Sequence, residues 1–483
     1  MSSSSSNIDN KQVGLPSLEE RGKRGEAVIA IFDVGKTNKK LLLFDEAYKL
    51  QYETSKELAE IKDEDGFACE DVEALTSWVK ETFETILLDK NFEVKAVNFS
   101  GYGASFVLLN ESLNVVLSLY NYLKPYSTSL KEKFYKEYGG ESLVAKQTAS
   151  PVLGNLNSGM QLYRLKYEKP EAFAKVKYAL HLPQYLSFIL TGKLYTDVTS
   201  IGCHTNLWDF QNNRYHQWVQ KEQVDEKFAP VVKSDALGGY TKQNIPVGVG
   251  LHDSSSALIP YLTSFTDPFI LLSTGTWCIS LNPFNHTRLT DHELHQDCLC
   301  YLSYTGKPVK ASRLFAGYEH EQQTKRLADH FNKPANYYKS VRYNPSLIKK
   351  GKNKTSAASL EATAMVGQSA FANRDLTSFD HYEAAYHQLI ADLIIQQVAS
   401  TNIVLKGTKV KKIFVDGGFS KNPIYMSLLA ESFPSLEVYA ASVAQASALG
   451  AAFVMHSYWN NKKLPADLIE VKNYSVAHQT LVD

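Results

Sequence analysis

Cysteine is scarce in this chain, with five in 483 residues. A sparse and odd set excludes a disulfide framework as the organising constraint and points to a reducing compartment. Net charge is missing too, because 51 basic residues balance 51 acidic ones. No global field draws the protein to nucleic acid or to an anionic membrane, so any anion site has to be local. Long apolar runs are also wanting: no stretch reads as the roughly 18 apolar residues of a spanning helix. The start, MSSSSSNIDNKQ, has a serine run and no apolar segment of secretory type. The expectation is a cytoplasmic chain with a disordered tail over residues 1–26 and neither nucleic acid nor membrane as partner. What is present, 44% hydrophobic residues over this length, suffices for about two or three domains with their own cores.

One local anion site is offered by IFDVGKTNKKLLLF, from Ile31. Its Gly-Lys-Thr matches the end of a P-loop, but that motif needs a glycine five residues before Gly35, and Ala30 stands there. KKLLLFD is a short continuous apolar run, which suits a strand better than the helix a P-loop requires. AVIAIFDVGKTNKKLLLFD therefore reads as strand, tight turn, strand. Gly35 lets backbone N–H groups approach an anion, Thr37 adds a hydroxyl, and Asp33 offers a carboxylate for a hydrated magnesium ion. The pattern returns in PFILLSTGTWCISLNPF from Pro268, with Gly275 and Thr276 in the turn. Two such hairpins imply a duplicated architecture in which each half clamps one shared nucleotide. A third strand, in KKIFVDGGFSKNP, ends in Gly417 and Gly418 after Asp416 and leaves room for a flat ligand against the backbone. A plain turn is the alternative for each alone; three in this order argue against it.

Other segments read as structure. DHELHQDCLC brings together His292, His295, Cys298 and Cys300, zinc-type ligands, yet C-x-C is not a closed-site spacing and no second pair follows. It reads as a polar loop entering the strand CLCYLSY. The basic run at residues 349–360, KKGKNKTSAAS, reads as a solvated loop, since a nucleic-acid patch would want aromatic neighbours. FDHYEAAYHQLIADLIIQQVAS reads as an amphipathic helix with Tyr386, Leu389, Ile390 and Leu393 on one face. ASRLFAGYEHEQQTKRLADHF reads as a helix carrying Arg313, Glu319 and His320.

The order of motifs carries more than any one of them. D-x-G-x-T from Asp33, GLHDSSSA from Gly250, STGTW from Ser273, DGGFSKNP from Asp416 and ASALGAAF from Ala446 resemble the FGGY family of carbohydrate kinases, from about Ala27 to about His456. NFSGYGASFVLLN resembles the sugar-facing loop of the rhamnulokinases, within the branch that also holds the fuculokinases. The resemblance implies an α/β fold of two actin-like, ribonuclease H-like domains with a cleft between them. Residues 27–265 would form the sugar side and 266–460 the ATP side, with an extension over 461–483. It implies transfer of the γ-phosphate of ATP, with Mg2+, to a hydroxyl of a ketose or deoxyketose of L-rhamnulose or L-fuculose type. Sugar and ATP would be its partners, and a homodimer is compatible with it.

Roles follow residue by residue. Asp253 stands where the family has its catalytic base, although aspartate before a serine run is by itself an N-cap signature. Asp33, directly or through water, would hold magnesium. Asp33, Gly35, Lys36, Thr37, Asn38, Lys40, Gly275 and Thr276 would face the phosphates, and Gly417, Gly418 and Asn422 the adenosine. Tyr102, Gly103, Ala104, Ser105, Asn121, His252 and Asp253 would face the sugar. The chain departs from the family at several of these. Lys36 replaces a threonine, and Lys40 stands where many members have arginine, an exchange that is not neutral at a forked phosphate contact. Ser105 and Asn121 take the places of aspartates, Gln161 and Arg164 those of a lysine and tryptophan signature, and Ser427 that of a glutamine. These changes leave the sugar and the nucleotide preference open, not the reaction. Two other classes fit part of the sequence: an actin- or chaperone-like ATPase, and a non-catalytic sugar-sensing protein.

Overall fold

The computed structural model describes residues 25–348, 369–443, 445–465 and 467–475; the basic run at 349–360 and residues 1–24 of the expected tail lie outside them. The first sheet holds β1 (Glu26–Val34), β2 (Asn38–Asp45), β3 (Leu50–Glu57), β4 (Phe92–Gly101), β5 (Leu237–Tyr240), β6 (Pro246–Gly248) and β7 (Leu251–His252). Its order is β5-β6-β4-β1-β2-β3, with β7 also beside β4. The second holds β8 (Phe269–Thr274), β9 (Cys278–Asn282), β10 (Cys298–Leu302), β11 (Pro308–Leu314), β12 (Lys412–Gly417), β13 (Glu437–Ser442) and β14 (Glu470–Asn473), in the order β10-β11-β9-β8-β12-β13-β14. Both centres share one plan. An antiparallel hairpin, β1–β2 or β8–β9, is flanked on the far side by a parallel partner, β4 or β12.

Strand periodicity explains how two sheets become one body. In β1, Val28, Ala30 and Phe32 pack with Leu75, Trp78 and Val79 of helix α1 (Val72–Leu88). The alternate residues Ile29 and Ile31 point to the opposite face and join a cluster with Leu258, Ile259, Leu449 and Phe453. Those four come from α4 (Asp253–Ser264) and α8 (Ala446–Phe453), which lie between the sheets; α2 (Ser158–Glu168) and α3 (Leu182–Thr191) precede α4 in the chain. Phe269 and Leu271 of β8 enter the same cluster from the other side. A run buried on both faces is what a central strand covered on each side requires. Asn98 fastens the layers: its Nδ2 donates to Ala451 O at 2.8 Å and its Oδ1 accepts from Gly250 N at 3.1 Å.

Expectations for three segments change. The segment from Ala311 is not helical throughout: Arg313 lies on β11, and helix α5 begins only at Ala316, running to His330. The segment from Tyr382 does form one helix, α6 (Tyr382–Leu405), but it is buried on nearly all sides instead of one. Its polar residues are absorbed by the sheet above it. Thr401 Oγ1 pairs with Ser280 Oγ at 2.9 Å, and Ser312 Oγ donates to Ser400 O at 2.7 Å, so polar and apolar residues alike point inward and the one-faced reading fails. The same helix is long and apolar enough to cross a membrane, against the sequence reading; 56% of its most apolar window is buried in the protein. Thirdly, the polar segment before CLCYLSY holds a short helix, Asp291–His295, closed by a Thr290–Glu293 capping box. His292 and His295 are exposed on it while Cys298 and Cys300 are buried in β10. Among the described residues no group of three or more metal-ligating side chains could hold a metal ion. Residues 470–473, within the segment expected as an extension, add the edge strand β14 beside β13.

Candidate active site

The two hairpin turns expected to hold phosphate are both present, as three-residue loops. Residues 35–37 connect β1 to β2, with Gly35 N donating to Asn38 O at 2.9 Å. Residues 275–277 connect β8 to β9, with Gly275 N donating to Trp277 O at 2.9 Å. Thr37, Asn38, Gly275 and Thr276 are exposed at these turns. The second turn is tightly enclosed from below. A Cβ on Gly317 at the start of α5 would lie 1.8 Å from Gly275 O, and Tyr318 N donates to Thr276 O at 3.1 Å. Gly417 has φ +90°, and a Cβ there would lie 2.1 Å from Thr274 O, so only glycine brings this turn against β8. The lysines do not stand free. Lys36 Nζ lies 3.0 Å from Glu60 and Lys40 Nζ 2.8 Å from Glu53.

Asp33, at the end of β1, and Asp253, the first residue of α4, approach one another where the sheets meet. Burial raises the Asp33 carboxyl to about 6, the charge of Asp253 adding to it, against the hydroxyl of Ser447, which donates to Oδ2 at 3.0 Å. Asp253 is also pushed up to about 6 by burial, opposed by Ser254 N–H and hydroxyl. His252, not Asp253, is the N-cap, so the carboxylate of Asp253 is not committed to the helix end. It accepts from its neighbour Ser254, from the N–H at 2.6 Å and the hydroxyl at 3.3 Å, and 37% of its side chain remains exposed. It borders a cavity of about 220 Å³ with Ser254, Ser273, Asp416 and Ser447.

The loop expected to face the sugar packs beside this carboxylate. His252 Nε2 lies 3.3 Å from Asp253 Oδ1 and 3.3 Å from Cys203 Sγ, and burial lowers the imidazole to about 4, so it is neutral at physiological pH. A Cβ at Gly103 would sit 2.8 Å from the His252 ring, which explains glycine there. Ala104 has φ +61°, an unusual conformation for alanine, and Gln161 of α2 holds its carbonyl with a 2.7 Å hydrogen bond. Ser105 is buried beneath the loop, and Asn121 turns its Oδ1 to Leu123 N at 3.0 Å. On the opposite side Gly417 and Gly418 are exposed. The Asn422 side chain caps helix α7 (Pro423–Ser432) and donates to Tyr386 OH at 2.8 Å. Arg313 is engaged by Asp297 through two hydrogen bonds, of 3.1 and 2.7 Å, and Glu319 is buried, accepting from Ser369.

Sequence reasoning missed four residues at this place. Ser447 reaches Asp33, Ser254 holds Asp253, and Asp416 borders the cavity, its Oδ2 accepting from Tyr261 OH at 3.1 Å. Tyr122 has its phenol pushed up by burial and by the charge of Asp253. Three of them stood inside or beside quoted motifs, but nothing local showed where their side chains point. The donor set fits magnesium. Two carboxylates that repel each other across a cleft are relieved by a divalent cation, and magnesium is ordinarily held by one or two carboxylates with water and phosphate instead of an all-protein cage.

Comparison with known proteins bears on the family and the fold. Residues 28–260 match the N-terminal domain of the FGGY family of carbohydrate kinases, and residues 266–463 match the carbohydrate kinase FGGY C-terminal domain. The rhamnulokinase of Halalkalibacterium halodurans is 27% identical over 260 residues, 51% of this chain and 52% of that protein. The match thus spans about half the length of such curated relatives. A carbohydrate kinase from Novosphingobium aromaticivorans superposes with a TM-score of 0.75 at 21% identity, over 94% of each chain. A ligand-bound xylulose kinase from Lactobacillus acidophilus does so with a TM-score of 0.73 at 18% identity, over 93% of this chain and 94% of that one. At these identities the structures speak for the fold, two α/β domains of actin-like, ribonuclease H-like type. With matches to both of its domains covering most of the chain, the protein belongs to the FGGY family of carbohydrate kinases.

Proposed function

We propose that this protein transfers the γ-phosphate of MgATP to a hydroxyl of a ketose or deoxyketose. One observation carries the reading: Asp33 and Asp253, from different motifs, are near enough for the charge of one to raise the other, Asp253 shares a cavity with Ser273 and Asp416 just before the glycine turns, and the loop at Gly103 packs on His252 beside it. In this reading Asp253 accepts the proton of the sugar hydroxyl as that oxygen attacks the phosphate. A base raised to about 6 is ionised at neutral pH yet still basic enough to take a proton. Neutral His252 can orient the carboxylate through the 3.3 Å contact without neutralising it. Asp33, set by Ser447, would hold the magnesium, which when bound neutralises charge on the transferring phosphates. The turns at Gly35 and Gly275 present backbone N–H groups from two sides, and Gly417 and Gly418 leave the adenosine open backbone to lie on.

The sugar is left to pocket contacts. A sugar of L-rhamnulose or L-fuculose type is favoured by the loop at Tyr102–Ser105, and it fits a curated relative named a rhamnulokinase. A structural relative named a xylulose kinase keeps pentuloses in view. The test is ADP release with MgATP over L-rhamnulose, L-fuculose, the xyluloses and ribuloses, sedoheptulose and glycerol. Stimulation by one sugar, lost in Asp253→Asn, is expected. Equal ADP release with and without every sugar would instead identify an ATPase, and sugar binding without turnover a sensor.

A further inference from the structure

A buried charged link joins the phosphate-side turn to the sugar-side loop. Lys39 is 1% exposed and Glu70 4%, and burying two charges is costly unless they find each other. The Lys39 ammonium pairs with Oε1 of Glu70 and donates to the backbone carbonyl of Lys36, inside the turn, at 3.0 Å. The other oxygen of Glu70 accepts from the phenol of Tyr102, which opens the sugar-side loop after β4. Tyr102 N donates to Val34 O at 3.1 Å, the last residue before the turn. Lys36 closes the circuit, its Nζ lying 3.9 Å from Glu70 Oε2 and 5.8 Å from the centre of the Tyr102 ring. Glu70 comes from a short strand, Ala68–Glu70, that belongs to neither large sheet, so the link is additional to the main-chain ladder. An apolar trio could fill the same space without desolvating charge. The ion pair adds directionality: Lys39 must satisfy a turn carbonyl and a carboxylate at once, so displacing the turn pulls on the residue that holds Tyr102.

We propose that Lys39 and Glu70 are positioning residues that couple the turn at Gly35–Thr37 to the loop at Tyr102–Ser105, so that nucleotide on the turn orders the loop before the sugar arrives. What the two segments bind rests on the kinase reading above. The test is hydrogen exchange of the full chain with and without the non-hydrolysable analogue AMP-PNP and magnesium. In the wild type the analogue is expected to slow exchange about fivefold or more in both residues 35–38 and residues 101–105. Tyr102→Phe removes one oxygen while Lys39 and Glu70 stay paired; it should keep the protection at 35–38 and lose that at 101–105. Glu70→Gln should do the same, but it leaves Lys39 without a counter-charge. If its melting curve shows that it does not fold, Tyr102→Phe decides. A merely structural role would change exchange in the free protein without abolishing the difference the analogue makes. Full protection at 101–105 in Tyr102→Phe, or none at either segment in the wild type, would overturn the coupling. The readout needs neither sugar nor turnover, so a silent sugar panel would sink the kinase reading and leave this coupling standing.

Discussion

Asp33 and Asp253 are ionised at neutral pH in a place that resists it, and both activity and stability should show this. Turnover should rise with pH through about 6 as the two carboxyls lose their protons, and flatten above about 7. In Asp253→Asn, calorimetry should find nucleotide binding little changed while kcat falls by a factor on the order of 10²–10⁴, the usual contribution of a general base. Loss of binding with unchanged residual turnover would refute the role. Stability should respond with the opposite sign. A carboxyl whose folded pKa is raised stabilises the fold below its unfolded value, and that contribution is lost as pH rises through the folded pKa. Asp33→Asn should therefore melt on the order of a few degrees higher than the wild type at pH 8. The gap should close as pH falls through about 6 toward 4; a variant that melts lower at pH 8 would show that the Ser447 contact outweighs the buried charge.

Among the elements, the pair α4 and α8 carries Asp253 and Ser447. A Cβ at Gly450 would lie 1.9 Å from Ser256 O, so the two helices cross with backbone nearly touching backbone. Gly450→Ala should destabilise by about 1–3 kcal/mol through overpacking, read as a lower denaturation midpoint, and should reduce kcat by shifting Asp253 against Ser447. A midpoint unchanged from wild type would mean that the helices separate freely. Elements were legible in sequence where their signals are local. The hairpins follow from apolar strands broken by glycine turns. Helix α6 was found but its burial misjudged, because Gln397, Ser400 and Thr401 look like a solvent face until Ser280 and Ser312 are placed above them. Arg313 was assigned to a helix because the boundary between β11 and α5 falls without a proline or a capping residue: Phe315 stands at the N-cap with no side-chain bond.

At the scale of the molecule, one hydrophobic cluster contains residues of both sheets: Ile29 and Ile31 from β1, Phe269 and Leu271 from β8, and the helices between them. Neither half can unfold without exposing part of that shared core. Scanning calorimetry should therefore show a single cooperative transition; two resolved transitions would mean that the halves unfold independently. Further ties cross between the halves. Cys300 N donates to Ala149 O at 3.1 Å, Leu302 N donates to Gly202 O at 3.1 Å, and Lys146 pairs with Asp291 at 3.0 Å. The first two are buried main-chain bonds, whereas the last is a surface pair screened by solvent and salt.

By itself the sequence determined the kind of protein. Turn glycines and strand periods are local properties of consecutive residues, and with the order of five motifs they suffice for two α/β halves of this family; the role of Asp253 as base is what the resemblance implies and stays a proposal. Tertiary structure alone decided which side chains share a space. Ser447 meets Asp33 across 414 residues of chain, and the Lys39–Glu70–Tyr102 link gathers residues from three separate strands or loops. The physical reason is that a side chain's charge, hydrogen bonds and pKa are set by what surrounds it in three dimensions, and those neighbours come from strand register and helix packing far along the chain.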